Sequence, residues 1–125
     1  MSGICFAAAM LAAVLPAQEF TLAWTHSIEK VRWEEDWRSE AGTLVLVEAR
    51  IRGSGAGMEP PAGAVLKDGA WHYRPAVPPL DRLLLSHSPY AAGYQLCLTD
   101  ACRPLADMLP GLADIAVIEI TPCQP

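Results

Sequence analysis

Three neighbouring polar residues, His26, Ser27 and Glu29, are of the types that hydrolytic enzymes use. A serine nucleophile needs a base such as histidine within hydrogen-bond reach to activate it. Adjacent residues of a strand point to opposite faces, so Ser27 cannot easily donate to His26 unless a turn begins at Ser27. We therefore predict no enzymatic activity. Ser27 and Glu29 are expected to organise a turn, with Ser27 bonding to nearby backbone.

Metal binding is a second chemistry that these residue types allow. A stable site needs three or four converging ligands. The credible set is His26, His87, Glu29 and Glu35, but no two of the three histidines have the spacing of metal ligands. We therefore expect neither a metal nor another cofactor.

The glycine-rich stretch GSGAGM follows a predicted strand and is a weak signal for phosphate binding. Pro60-Pro61 follows it instead of a helix, which excludes a P-loop or Rossmann site. A structural turn is one interpretation, and contact of its backbone N–H groups with an anionic ligand or a partner is the other.

Ligand or partner binding is the remaining chemistry for this region. His26 ends an apolar stripe, and Glu35 alternates with Trp33 and Trp37. The tryptophans favour core packing, with an aromatic binding patch as the alternative. The residues predicted to bind a ligand or partner are His26, Ser27, Glu29, Trp33, Glu35, Gly55 and Gly57.

The cysteines indicate an oxidising compartment. Cys97 and Cys102 flank a predicted chain reversal at Thr99-Asp100, and a disulfide between them would contribute about 2 kcal/mol. A metal pair is the alternative, but no second Cys or His pair lies nearby. Cys123 is left over, either free or displacing one of these two, and Cys5 is assigned to an N-terminal leader.

Strands must position these residues, because most of the sequence alternates between apolar and polar side chains. The predicted strands cover residues 20–27, 32–40, 43–52, 71–74, 83–87, 94–98 and 114–121. Residues 104–109 are expected to form one helical turn. Seven or eight short strands separated by Gly and Pro predict an all-β fold, either a small β-sandwich or a barrel.

The N-terminus is uncharged, and residues 4–15 form an apolar run of signal-peptide length, too short to span a bilayer. We predict a signal helix over residues 1–17 and a single domain over residues 18–125. An uncleaved membrane anchor and a buried helix are the alternatives. The net charge of −5, with Lys and Arg scattered along the chain, argues against a cationic patch that would bind nucleic acid or anionic lipid. Membrane contact is therefore expected only through the leader or a membrane partner.

The segment His26-Ser27-Ile28-Glu29, followed by Trp33-Glu34-Glu35-Asp36-Trp37 and by Gly55-Ala56-Gly57, resembles the bacterial family catalogued as domain of unknown function 1850. Proteins of that family are small and exported, and their genes often lie beside tripartite ATP-independent periplasmic transporters. The resemblance implies a periplasmic accessory protein that contacts the receptor or permease subunit of such a transporter. A small-ligand or metal-binding module is the alternative function.

Overall fold

A computed structural model describes residues 3–25, 31–52, 62–99 and 101–124. These residues contain one short 3-10 helix, η1 (Leu105–Met108). Their strands are β1 (Gly3–Ala8), β2 (Leu11–Leu15), β3 (Glu19–Thr25), β4 (Arg32–Glu40), β5 (Thr43–Arg52), β6 (Val65–Lys67), β7 (Ala70–Tyr73), β8 (Leu83–His87), β9 (Gln95–Leu98), β10 (Ala101–Pro104) and β11 (Ala116–Cys123).

The strands form two open antiparallel sheets. One has four strands in the order β2-β1-β11-β8, and the other has seven in the order β10-β9-β3-β4-β5-β7-β6. The all-β prediction is therefore confirmed, and neither sheet closes into a barrel. The described residues contain eleven strands, so the predicted seven or eight was too low. The missed strands lie in the supposed leader or are too short to show a period of two.

The strands with the clearest alternation were predicted best. β4 and β5 coincide with the predicted ranges 32–40 and 43–52. The pairing of β4 with β5 shifts between Asp36 and Trp37, which marks a β-bulge there. The predicted helical turn at 104–109 is found as the 3-10 helix.

The predicted signal helix over residues 1–17 is wrong in its secondary structure, because residues 3–15 form a β-hairpin. Strand β1 pairs with β11 as well as with β2 and inserts Ile4 and Phe6 into the core. An apolar run of this length does not distinguish a helix from buried strands by composition alone. The boundary at Ala17 stays a prediction.

The cysteine assignments at the two ends of the chain also need correction. Cys5 forms a disulfide with Cys123, so Cys5 is not an unpaired leader residue and Cys123 is not left over. This bond ties β1 to β11, at positions two residues out of direct register, because Cys5 pairs with Thr121 and Cys123 pairs with Gly3. The predicted Cys97–Cys102 disulfide is present and links β9 to β10.

Both sheets contribute to one core. The four-stranded sheet supplies Ile4, Phe6 and Ile120, and the seven-stranded sheet supplies Leu22 and Leu96. The surface of each sheet that faces this core is called its inner face below, and the opposite surface its outer face. None of the described residues belongs to a helix that is long and apolar enough to cross a membrane.

Candidate functional site

A group of aromatic side chains lies on the inner face of the seven-stranded sheet, where the hairpin of β3 and β4 positions two tryptophans. Trp24 and Trp33 are directly opposed in the strand register, and their rings stack with centroids 6.3 Å apart. Tyr94, next to the start of β9, meets Trp24 edge-on at a centroid distance of 5.6 Å. Offset stacking and edge-on contacts are the favoured arrangements of aromatic pairs.

Glu35 lies on the same face as these rings, two residues after Trp33. Its neighbours across the strands are Leu22 on β3 and Ala49 on β5, and Tyr73 on β7 continues the row. Among the described residues, its hydrogen-bond donor is Trp37 Nε1, 3.2 Å from Glu35 Oε1. The residues Trp24, Trp33, Glu35, Tyr73 and Tyr94 are called the aromatic–acidic cluster below.

The Glu35 carboxyl is held in surroundings that disfavour its charge. Burial raises the pKa of Glu35, and the hydrogen bond from Trp37 offsets only part of that effect. Burial also raises the pKa of Tyr73 and of Tyr94, and the negative charge of Glu35 adds to both shifts. These two further shifts place both phenols within electrostatic range of the carboxyl.

Trp33 contributes an unpaired donor to the cluster. Its Nε1 atom is buried and has no hydrogen-bond partner among the residues that the structure describes. A buried donor without an acceptor costs free energy, and such groups are uncommon in folded proteins. The cluster therefore contains a carboxylate and an N–H group that both gain from a ligand.

A second group of charged residues occupies the outer face of the same strands. Arg50 Nε lies 2.9 Å from Glu34 Oε1, and its Nη1 and Nη2 atoms contact the two Asp36 oxygens at 2.6 and 2.7 Å. Arg32 and Arg52 also donate to Glu34. These residues are called the outer charge network below.

The two carboxylates of the outer charge network are neutralised by its arginines. Burial works to raise the pKa of Glu34, but hydrogen bonds from Arg32 and Arg50 and the charge of Arg52 outweigh it and lower that pKa to about 2. For Asp36 too, burial is outweighed by hydrogen bonds from Arg50 and Thr21, and its pKa is lowered. Pairing of this kind stabilises the sheet and leaves the two carboxylates with little negative charge to offer a ligand.

The structure brings together two of the residues predicted to bind a ligand, Trp33 and Glu35. The other five, His26, Ser27, Glu29, Gly55 and Gly57, lie outside the described residues. The strands that flank their segments end side by side, because Thr25 pairs with Arg32 and Arg32 pairs with Arg52. The end of β3, the start of β4 and the end of β5 therefore lie together at the end of the sheet where Trp24 and Trp33 stack.

Sequence reasoning missed Tyr73 and Tyr94, which complete the cluster from distant parts of the chain. Tyr73 lies in the predicted strand 71–74 and Tyr94 in the predicted strand 94–98, but no local pattern connects either residue with Glu35. Pairing of β5 with β7 and of β3 with β9 makes that connection. The pairing of strands that are distant in the sequence could not be predicted from local patterns.

Two other features were compared with the cluster as sites. No group of three or more Asp, Glu, His or Cys that could hold a metal occurs in the described part of the chain. A cleft of about 580 Å³ is lined by Thr21, Asp36, Arg50 and Cys97, among others. We favour the aromatic–acidic cluster as the site, because Arg50 and Asp36 at that cleft are already bonded to each other.

The described residues form an all-β protein with two open sheets and with the aromatic–acidic cluster, the candidate site, on an inner face. A family model described as Domain of unknown function (DUF1850) matches residues 20–105, and the chain belongs to this family. The match covers both strands that carry Trp24, Trp33 and Glu35. No curated protein and no solved structure matches the chain.

Proposed function

We propose that this chain is an exported, non-catalytic binding protein that assists a tripartite ATP-independent periplasmic transporter, and that it contacts the receptor or permease subunit through the aromatic–acidic cluster. The observation that carries the proposal is Glu35, an ionisable side chain that burial destabilises on a face made of apolar and aromatic residues. Groups held at such a cost concentrate at functional sites.

The chemistry of the cluster favours a positively charged group on the partner. Aromatic rings attract cations through their electron-rich faces, and a carboxylate supplies the counter-charge. A cation at Glu35 would also compensate the burial that raises the pKa of this carboxyl. The contact we propose is therefore a Lys or Arg side chain of the transporter subunit.

Export is supported by the cysteines. All four are paired in two disulfides, and disulfides form and persist mainly in oxidising compartments such as the bacterial periplasm. The link to the transporter is an expectation that rests on the resemblance to the family. We propose the periplasmic face of the inner membrane as the site of action.

The test is binding of the purified chain to the receptor and permease subunits of a tripartite ATP-independent periplasmic transporter from the same organism. Glu35→Gln should weaken binding at least tenfold, because it removes the charge and keeps the shape. The matched control is Glu19→Gln, a carboxyl-to-amide change at an exposed residue of β3 outside the cluster. No binding to either subunit at high concentration, or equal weakening by both variants, would refute the proposal.

A small organic cation is the second candidate ligand, and the Trp33 Nε1 donor, which has no hydrogen-bond partner in the described part of the chain, favours one that also carries an acceptor atom. A thermal-shift screen with organic amines, organic acids and metal salts separates the possibilities. Amines should raise the melting temperature of the wild type and not that of Glu35→Gln. His26→Ala tests in the same screen whether the predicted histidine belongs to the site.

A further inference from the structure

The hairpin of β9 and β10 carries a disulfide at the protein surface. Cys97 and Cys102 are directly opposed in the strand register, with their Cα atoms 4.0 Å apart. Cys102 is exposed to solvent, and Cys97 borders the cleft of about 580 Å³. A dissolved thiol therefore has access to this bond.

One guanidinium group contacts both sulfur atoms. Arg32 Nη2 lies 3.7 Å from Cys97 Sγ and 3.6 Å from Cys102 Sγ. The rest of that side chain is held in place, with Nε 2.9 Å from Glu34 Oε2 and Nη1 2.7 Å from Gln95 Oε1. The cation is thus fixed beside the disulfide by two neighbours that do not take part in it.

A cation in this position stabilises the thiolates that appear when a disulfide is reduced. Stabilising the reduced form raises the reduction potential, and stabilising the leaving thiolate speeds the exchange. We propose that the Cys97–Cys102 disulfide is a thiol–disulfide exchange site that accepts electrons from an external dithiol, and that Arg32 stabilises its leaving thiolate. This role is independent of the proposed binding function.

The exchange balances in two steps. A thiolate of the external dithiol attacks Cys102 Sγ, the bond to Cys97 Sγ breaks, and the electron pair leaves on Cys97 as a thiolate beside Arg32 Nη2. The second thiolate of the dithiol then attacks its own sulfur in the mixed disulfide and releases Cys102. The protein gains two electrons, and the dithiol leaves as a disulfide.

The second disulfide of the chain provides an internal reference. Cys5 and Cys123 join the first strand to the last across a sequence separation of 118 residues. The hydrogen bonds of the described residues include no Lys or Arg donor at either of these sulfur atoms. The Cys5–Cys123 bond should therefore behave as a structural crosslink that resists reduction.

The experiment equilibrates the full chain in buffers of oxidised and reduced dithiothreitol and counts alkylated cysteines by peptide mass mapping. In the wild type, Cys97 and Cys102 should become alkylated at potentials where Cys5 and Cys123 stay protected. Arg32→Met should lower the equilibrium constant for reduction about tenfold, a shift of about 30 mV, and should slow the exchange.

Two further variants separate this role from general support of the sheet. Arg52→Met removes another guanidinium bonded to Glu34 but not to sulfur, so the potential should stay at the wild-type value. Arg32→Lys keeps the positive charge and should recover most of the exchange rate. Equal potentials in the wild type and Arg32→Met, equal shifts in Arg32→Met and Arg52→Met, or earlier reduction of Cys5–Cys123 would each overturn the proposal.

Discussion

Glu34 and Glu35 are neighbours in β4, and they face opposite sides of the seven-stranded sheet. Glu34 is 8% exposed and is surrounded by three arginines, which hold its pKa at about 2. Glu35 is half-buried among aromatic and apolar residues, and burial raises its pKa. This difference shows that burial alone does not determine the pKa of a carboxyl group. Burial disfavours the charged form of both groups, and the arginines on one face of the sheet outweigh that penalty for Glu34.

The largest expected effect comes from removing the shared cation of the outer charge network. Arg50→Met leaves Glu34 and Asp36 as partly buried carboxylates without their main partner, which should lower the free energy of unfolding by about 3 kcal/mol. Urea denaturation at neutral pH measures the change. The control Arg38→Met breaks an exposed pair with Glu40 and should cost less than about 1 kcal/mol. Similar losses in the two variants would contradict the internal pairing of the network.

Glu34 should dominate the pH dependence of the free energy of unfolding. The pKa of Glu34 is lowered in the folded state, so its contribution is present above its usual value of 4.5 and is lost as the pH falls towards about 2. This contribution is on the order of 2 kcal/mol. Glu34→Gln should therefore destabilise the protein at neutral pH and flatten the acid limb of its stability curve. An acid limb with the wild-type slope in this variant would contradict the assignment.

The contribution of Glu35 to stability should depend on pH in the opposite way. The pKa of Glu35 is raised in the folded state, so its charged form disfavours folding above the usual carboxyl pKa and the penalty disappears as the pH falls. Glu35→Gln should increase the free energy of unfolding at neutral pH and have little effect in acid. Denaturation curves at two pH values measure this. A loss of stability at neutral pH would show that the carboxylate is a structural group.

The smallest expected effect concerns Trp33. Trp33→Phe removes the stacked indole but also removes an Nε1 donor without a partner among the described residues. The two contributions offset, and the net change should be about 0.5 kcal/mol or less. Circular dichroism should lose the signal of the Trp24–Trp33 pair. Trp71→Phe, on β7 outside the cluster, is the control and should keep that signal. A loss of several kcal/mol would assign Trp33 to the core alone.

Much of the fold was predictable because it depends on local alternation. The ranges of β4 and β5, and the facing of Cys97 and Cys102 across a reversal, follow from neighbouring residues. The N-terminal hairpin was not predictable in this way. Its small apolar residues fit a helix and a buried strand equally well, and pairing with β11 and the Cys5–Cys123 bond select the strand.

The candidate site was also predictable only in part, and again the local features were the predictable ones. The Trp-Glu-Glu stretch pointed to Trp33 and Glu35, but it did not separate Glu35 from Glu34 by environment. Tyr73 and Tyr94 were not predicted, since they reach the cluster through strands paired across long sequence separations.

By itself the sequence determined the all-β class, the main strands and the alternation that sends neighbouring carboxyl groups to opposite faces. These properties are local, because a strand reverses its side chains at every residue. Tertiary structure decided that one face of β4 meets arginines while the other meets aromatic rings, and that the apolar N-terminus completes a sheet. The physical reason is that desolvation and ion pairing depend on which distant strands pack together. Local alternation does not specify those strands.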